Sequence, residues 1–171
     1  MNEIALLIAA TLLAGTPLAL AGLGLLINER AGVLNLGAEG MMLVAAVAGF
    51  AVAFNTGSDL LSFAAGAAAG GLLAASFSWL VIWLNTNQYA TGLALTLFGT
   101  GFSAFIGLPY TSEQLGPRTS YDVPGVSELP WVGPALFKQH PMVWIAIGLT
   151  VGLSWWLGRS RSGLVLRAVG E

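Results

Sequence analysis

The chain has 171 residues, 56% of them hydrophobic and 8% charged, with a net charge of −2 and no cysteine. Soluble domains carry about 25% charged residues, so six basic and eight acidic side chains cannot clothe a water-facing surface of this length, and lipid is the solvent the composition implies. The same figures exclude a disulfide framework, a thiolate metal site and the basic surface that nucleic acid requires, and the single histidine, His140, cannot build a metal cluster alone.

Residues 4–28 form the first run without charge. The chain opens MNEI, without the basic start of a secretory leader, and the apolar run is longer than a leader's, so it reads as a retained membrane helix. Pro17, two residues after Gly15, predicts a kink in it. Then comes INERAGVLNLGAEGMML, 27–43, with Glu29, Arg30, Glu39, Asn28 and Asn35 among Gly32, Gly37 and Gly40. Glu29 and Arg30 suit a short cytoplasmic turn. The following GVLNLGAEGMML is too apolar for an ordinary loop and too interrupted for an ordinary helix. Non-helical backbone at membrane depth survives only where it is buried in protein or lines a wet cavity. An ionisable group there marks a functional site by default. Asn35, Gly37, Glu39 and Gly40 are therefore candidates for a hinge or path-lining break, of the kind that discontinuous transporter helices provide.

Residues 40–58 are the second span. Residues 60–112 carry no charge at all. As one helix they would reach roughly 80 Å, against a bilayer core of about 30 Å, so the run must turn. The turn falls at NTNQ, 85–88, the run's cluster of polar amides, which leaves spans at 60–84 and 89–108. GAAAGG, 66–71, predicts close helix packing, while Trp79 and Trp83 read as interfacial anchors. Six of the seven prolines fall in 109–141, an irregular loop. The last span occupies 140–158, with Trp155 and Trp156 near its end and Arg159, Arg161 and Arg167 just beyond. Basic residues beside a span stay on the cytoplasmic side. That puts the C-terminus and residues 27–40 inside, and the N-terminus and 109–141 outside. No alternating ten-residue segments suggest a β-barrel. The fold class is an all-α integral membrane protein of about five transmembrane helices, broken after the first. No G-x-x-x-x-G-K-[ST] occurs, so the chain binds no ATP by that route. His140, beside Pro141 at a span boundary, reads as interfacial rather than catalytic. The pattern is that of a conduit.

NERAGVLNLGAEGMMLVAA, 28–46, resembles the signature region of the ABC-importer permeases of the branched-chain amino acid and simple-sugar superfamily. It is closest to the nucleoside and simple-sugar branch, whose members read much like E-R-[SA]-G-V-x-N-[IL]-G-x-E-G-M-M. NQYATGLALTLFGTGFSAFIG, 87–107, resembles that branch's Asn-Gln start, with a departure at Thr96, where the family pattern carries Asn. GLVLRAVGE, 163–171, resembles the segment that docks on the ATPase. The resemblance implies about the first half of a type II importer-like permease, in a bacterial or archaeal cytoplasmic membrane. It implies a partner ATPase holding ATP and Mg, a second permease subunit, an external binding protein and no cofactor in this chain. It adds Asn87, Gln88 and Thr96 to the path or hinge, and places Arg161, Arg167, Gly170 and Glu171 in the docking segment at 159–171. Three other readings remain: a branched-chain amino acid permease, a half-size transporter or channel without ATP, and a membrane scaffold. A proton- or sodium-coupled carrier more often shows a mid-span charge, which spans three and four lack.

Overall fold

The computed structural model describes residues 3–115 and 140–170. Among them all regular structure is helical: α1 (Glu3–Arg30), α2 (Ala38–Thr56), α3 (Asp59–Ser78), α4 (Gln88–Gly107), α5 (Pro141–Arg159) and α6 (Arg161–Gly170). A π-helical turn, Trp79–Trp83, extends α3, and a 3-10 turn, Leu108–Tyr110, extends α4. Five stretches are long and apolar enough to cross a membrane: Leu6–Arg30, Ala38–Thr56, Asp59–Trp83, Gln88–Tyr110 and Pro141–Arg159. These match the five expected spans closely. Of the expected external loop, 116–139 lies outside the described residues. The chain divides into two compact units, Val33–Gly116 and Met1–Gly32 with Pro117–Glu171.

In Val33–Gly116, α2 and α3 pack antiparallel across small residues. Gly57 ends α2 in the left-handed region at φ 66, its N–H donating to Ala53 O. Ser58 then caps α3 by accepting from Leu61 N at 3.4 Å. Along the interface the Ser62 hydroxyl donates to Gly49 O at 2.8 Å. A Cβ on Gly66 would sit 3.0 Å from Ala45 O, so the backbones approach as closely as side chains permit. This is the packing that GAAAGG predicts, for Gly66 and Gly70; Gly71 meets no described atom within 4 Å.

The turn at NTNQ is built by its amides. Asn85 takes φ 50, a region that Asn tolerates. Asn87 caps α4, its Oδ1 accepting from Tyr89 N at 2.9 Å and Ala90 N at 3.2 Å. Just before it, the Trp79 and Trp83 rings stack 5.2 Å apart. The buried core of this unit is Met41, Phe77 and Leu95, surrounded by Val33, Leu73, Ala74 and Val81. At the opposite end Tyr110 lies edge-on to Phe50 and Phe54 and near Asn55, whose amide donates to its hydroxyl at 3.3 Å. Contacts at both ends of α2 and α4 show that the two helices run in the same direction, as two crossings separated by α3 must.

In the other unit, α1 runs unbroken through Pro17. Next to the proline, Thr16 Oγ1 donates to Leu12 O at 2.7 Å, a hydroxyl sharing a helix carbonyl as hydroxyls do in lipid. Pro141 opens α5 at its first turn, where a missing N–H costs nothing. His140 caps the helix, its Nδ1 accepting from Met142 N at 3.3 Å, so its position at the span boundary has a structural use. Ser160 turns the chain from α5 into α6. Its Oγ donates to Trp156 O at 2.7 Å and accepts from Gly163 N at 2.9 Å.

Candidate functional site: the unwound segment before α2

Between Arg30 and Ala38 the chain leaves the helix, and each freed backbone group raises the question of its partner. Three answers come from within the unit. Leu34 N–H donates to Gln88 Oε1 at 3.1 Å. Leu36 O accepts from Thr96 Oγ1 at 2.7 Å. Gly37 N–H donates to Asn35 Oδ1 at 2.9 Å, the local turn that Asn side chains favour. The Asn35 amide also reaches Met41 Sδ at 3.7 Å, tying the turn to the buried core. Two of the three bonds come from α4, so the segment is held by a neighbouring helix as well as by itself.

The approach that permits those bonds needs glycine on both sides. A Cβ on Gly40 would lie 2.6 Å from Leu95 O and 2.7 Å from Thr96 Cα. A Cβ on Gly99 would lie 2.5 Å from Gly40 Cα. Neither distance occurs between real side chains and backbone, so α2 and α4 cross backbone on backbone at this point. Two turns before Gly99, Gly92 meets Leu36 and Gly37, and a Cβ on it would lie 2.9 Å from Leu36 N.

The structure thus brings together Asn35, Gly37, Gly40, Gln88 and Thr96. Asn87 stands one residue aside, exposed, as the cap of α4. Glu39 is exposed in the first turn of α2, without a hydrogen bond or ion pair among the described residues. A carboxylate there complements the positive end of the helix, and it leaves an acid accessible beside the crossing. The sequence reading missed Gly92, Leu95 and Gly99. The signal was present: Gly92, Leu95, Thr96 and Gly99 stand at i, i+3, i+4 and i+7, one face of a helix.

The expected docking residues lie in the other unit, on α6. Gly163 is buried where the helix turns over the end of α5, against Trp156 O and Leu157. Gly170 packs on Arg30 O and on Gly32 at the end of α1. Leu166 and Arg167 are half-buried on the same helix face. The opposite face exposes Leu164, Val165, Ala168 and Val169, Val169 at 75%. Arg161 is exposed at the start of the helix, and Glu171 lies outside the described residues.

Residues 7–171 match the family described as branched-chain amino acid transport system / permease component. The chain is 46% identical over its whole length to a Haloferax volcanii protein provisionally named a glucose ABC transporter permease, of which it covers 53%. It is 30% identical, over 98% of its length, to the guanosine ABC transporter permease of Bacillus subtilis, covering 56% of that protein. A nucleoside ABC transporter permease of Lactococcus lactis is 28% identical over the whole chain, which covers 57% of it. The chain therefore spans about half the length of the curated relatives it matches. No solved structure matches it.

Proposed function

Since this chain belongs to the branched-chain amino acid transport system permease family, we propose that it is the membrane-spanning part of an ATP-driven ABC importer for a simple sugar or a nucleoside. With five helices able to cross a bilayer, it is a multi-pass protein of the cell membrane. The observation that carries the reading is the unwound segment, whose backbone is held by Gln88 and Thr96 where Gly40 crosses Gly99. Irregular backbone satisfied by neighbouring helices is how membrane transporters bend a path without exposing bare peptide groups to lipid. The names of the relatives favour a sugar or nucleoside cargo, and the sugar side has the higher identity.

In this reading the chain supplies no chemistry of its own. ATP and Mg belong to a separate ATPase, the substrate arrives on an external binding protein, and a second permease subunit completes the path. The exposed face of α6, with Arg161 at its start, meets the ATPase on the cytoplasmic side. Residues 109–141 face outward. Closure of the ATPases moves α6, and the path switches its opening between the two sides.

The test uses the permease at the length of its relatives, reconstituted in liposomes with its ATPase and binding protein. Labelled glucose and guanosine are offered, with leucine as competitor. Uptake of glucose or guanosine that requires internal ATP supports the reading. Uptake blocked by leucine moves the chain to the amino-acid branch. Uptake that follows an ion gradient without the ATPase overturns it.

A further inference from the structure

We propose that Gly32 and Gly170 form a latch that makes α6 and the inner end of α1 one moving body. Gly32 then acts as a positioning residue through which motion of α6 enters the unwound segment. The inference rests on the reading of α6 as the helix that meets the ATPase.

Three observations carry it. First, α6 is pinned at both ends within its own unit. Its start is fixed on α5 by the two bonds of Ser160 Oγ and by buried Gly163. Its end is fixed on α1, where a Cβ on Gly170 would meet Arg30 O, and lie 2.8 Å from Gly32 N. Second, the fit is reciprocal. A Cβ on Gly32 would sit 3.2 Å from Gly170 Cα, and Gly32 itself holds φ 78, a conformation that glycine adopts without cost. Third, Gly32 is itself part of the unwound segment, and Val33, the next residue along the chain, continues it. A helix of ten residues held at both ends transmits a displacement rather than absorbing it, because packed contacts between rigid elements shift between discrete arrangements. The backbone contact at Gly32 is the point at which such a displacement reaches α1.

Close packing with no role in coupling would use the same glycines, so the test must separate the two. Gly57 provides the control. It too has a positive φ, 66, but a Cβ on it meets no described atom within 4 Å. Asn tolerates this backbone region, so Gly32→Asn and Gly57→Asn carry similar backbone strain and differ in the contact with Gly170. Both are made in the permease at the length of its relatives, reconstituted with its ATPase and binding protein. The readouts are ATPase retained on co-purification, ATP hydrolysed and substrate transported. The wild type must first retain the ATPase and transport at the cost of ATP; if it does not, the reading of the chain as an ABC permease fails, whatever the variants do. Given that, Gly32→Asn retains the ATPase and its basal hydrolysis, while substrate moved per ATP falls about fivefold or more, the low end of ordinary coupling between sites. Gly57→Asn stays near the wild type. Equal transport per ATP in both variants overturns the latch, and so does loss of ATPase binding in Gly32→Asn, which would make the contact part of the docking surface. If Gly32→Asn fails to assemble, Gly32→Ala is read by hydrogen exchange. The amides of Leu164 to Val169 exchange faster than in the wild type and than in Gly57→Ala; unchanged exchange overturns the proposal.

Discussion

The first two spans, α1 and α2, have similar apolar composition and similar numbers of glycines, yet they use them differently. In α2, Gly40 and Gly49 press against the backbones of α4 and α3, and Met41, Val44 and Ala53 are buried with them. In α1, Gly15, Gly22 and Gly24 meet no described atom within 4 Å, and among its described residues Thr16 alone is buried. Lipid tails are as apolar as leucine, so hydrophobicity does not say which helix lies against protein. What distinguishes α2 is its start. The unwound segment needs partners for its backbone, and those partners require that α4 come close. Polar satisfaction dictates the packing, and the glycines permit it.

Several substitutions sharpen or break this contrast. The largest effect is expected where backbone meets backbone. Gly40→Leu or Gly99→Leu should destabilise the protein by about 3 kcal/mol or more, since no rotamer avoids the facing helix; the thermal transition in detergent reads it. Thr96→Val keeps the shape and strands Leu36 O, at about 1 kcal/mol. Thr96→Asn, which restores a donor, should regain most of that loss and the accompanying transport. Gly22→Ala in α1 should be neutral, or stabilise by up to about 0.5–1 kcal/mol, through helix propensity alone. A large loss there would show that α1 is packed as α2 is. Smallest for stability is Glu39→Gln, within about 0.5 kcal/mol because the side chain is exposed. Transport by the assembled complex should nonetheless fall if the acid faces the path, and unchanged transport would assign Glu39 to the helix end alone.

Much of this was legible from the residues. The five spans follow from charge-free lengths, the turn at Asn85 from its amides, and the break from Asn35, Gly37 and Gly40 set in an apolar stretch. Each is a local signal. What the reading did not yield is who meets whom. Gly92 and Gly99 look like any small residues of a membrane helix until the backbone of Leu36 is placed against them. Likewise the sequence assigns Gln88 and Thr96 to the path or hinge without showing that they bond Leu34 N–H and Leu36 O. The exposure of Glu39 and the division of α6 into a held face and a free one depend on tertiary packing, which periodicity alone does not fix.

The central claim is that the segment before α2 is a packed break held on α4, and one cross-linking measurement tests it directly. A Cβ on Gly37 would lie 3.2 Å from Leu95 Cβ, with the nearest backbone atom, Gly92 O, at 3.3 Å. Disulfides span about 3.5–4.5 Å between Cβ atoms, so a shift of a few tenths of an ångström brings Gly37→Cys and Leu95→Cys into bonding range. The sequence has no cysteine to interfere. In membranes under mild oxidant, the account predicts a rapid, near-complete disulfide between the two positions, identified by mass spectrometry of the linked peptides. If no link forms while both thiols react freely with a water-soluble maleimide, the segment is an exposed loop and the account is wrong.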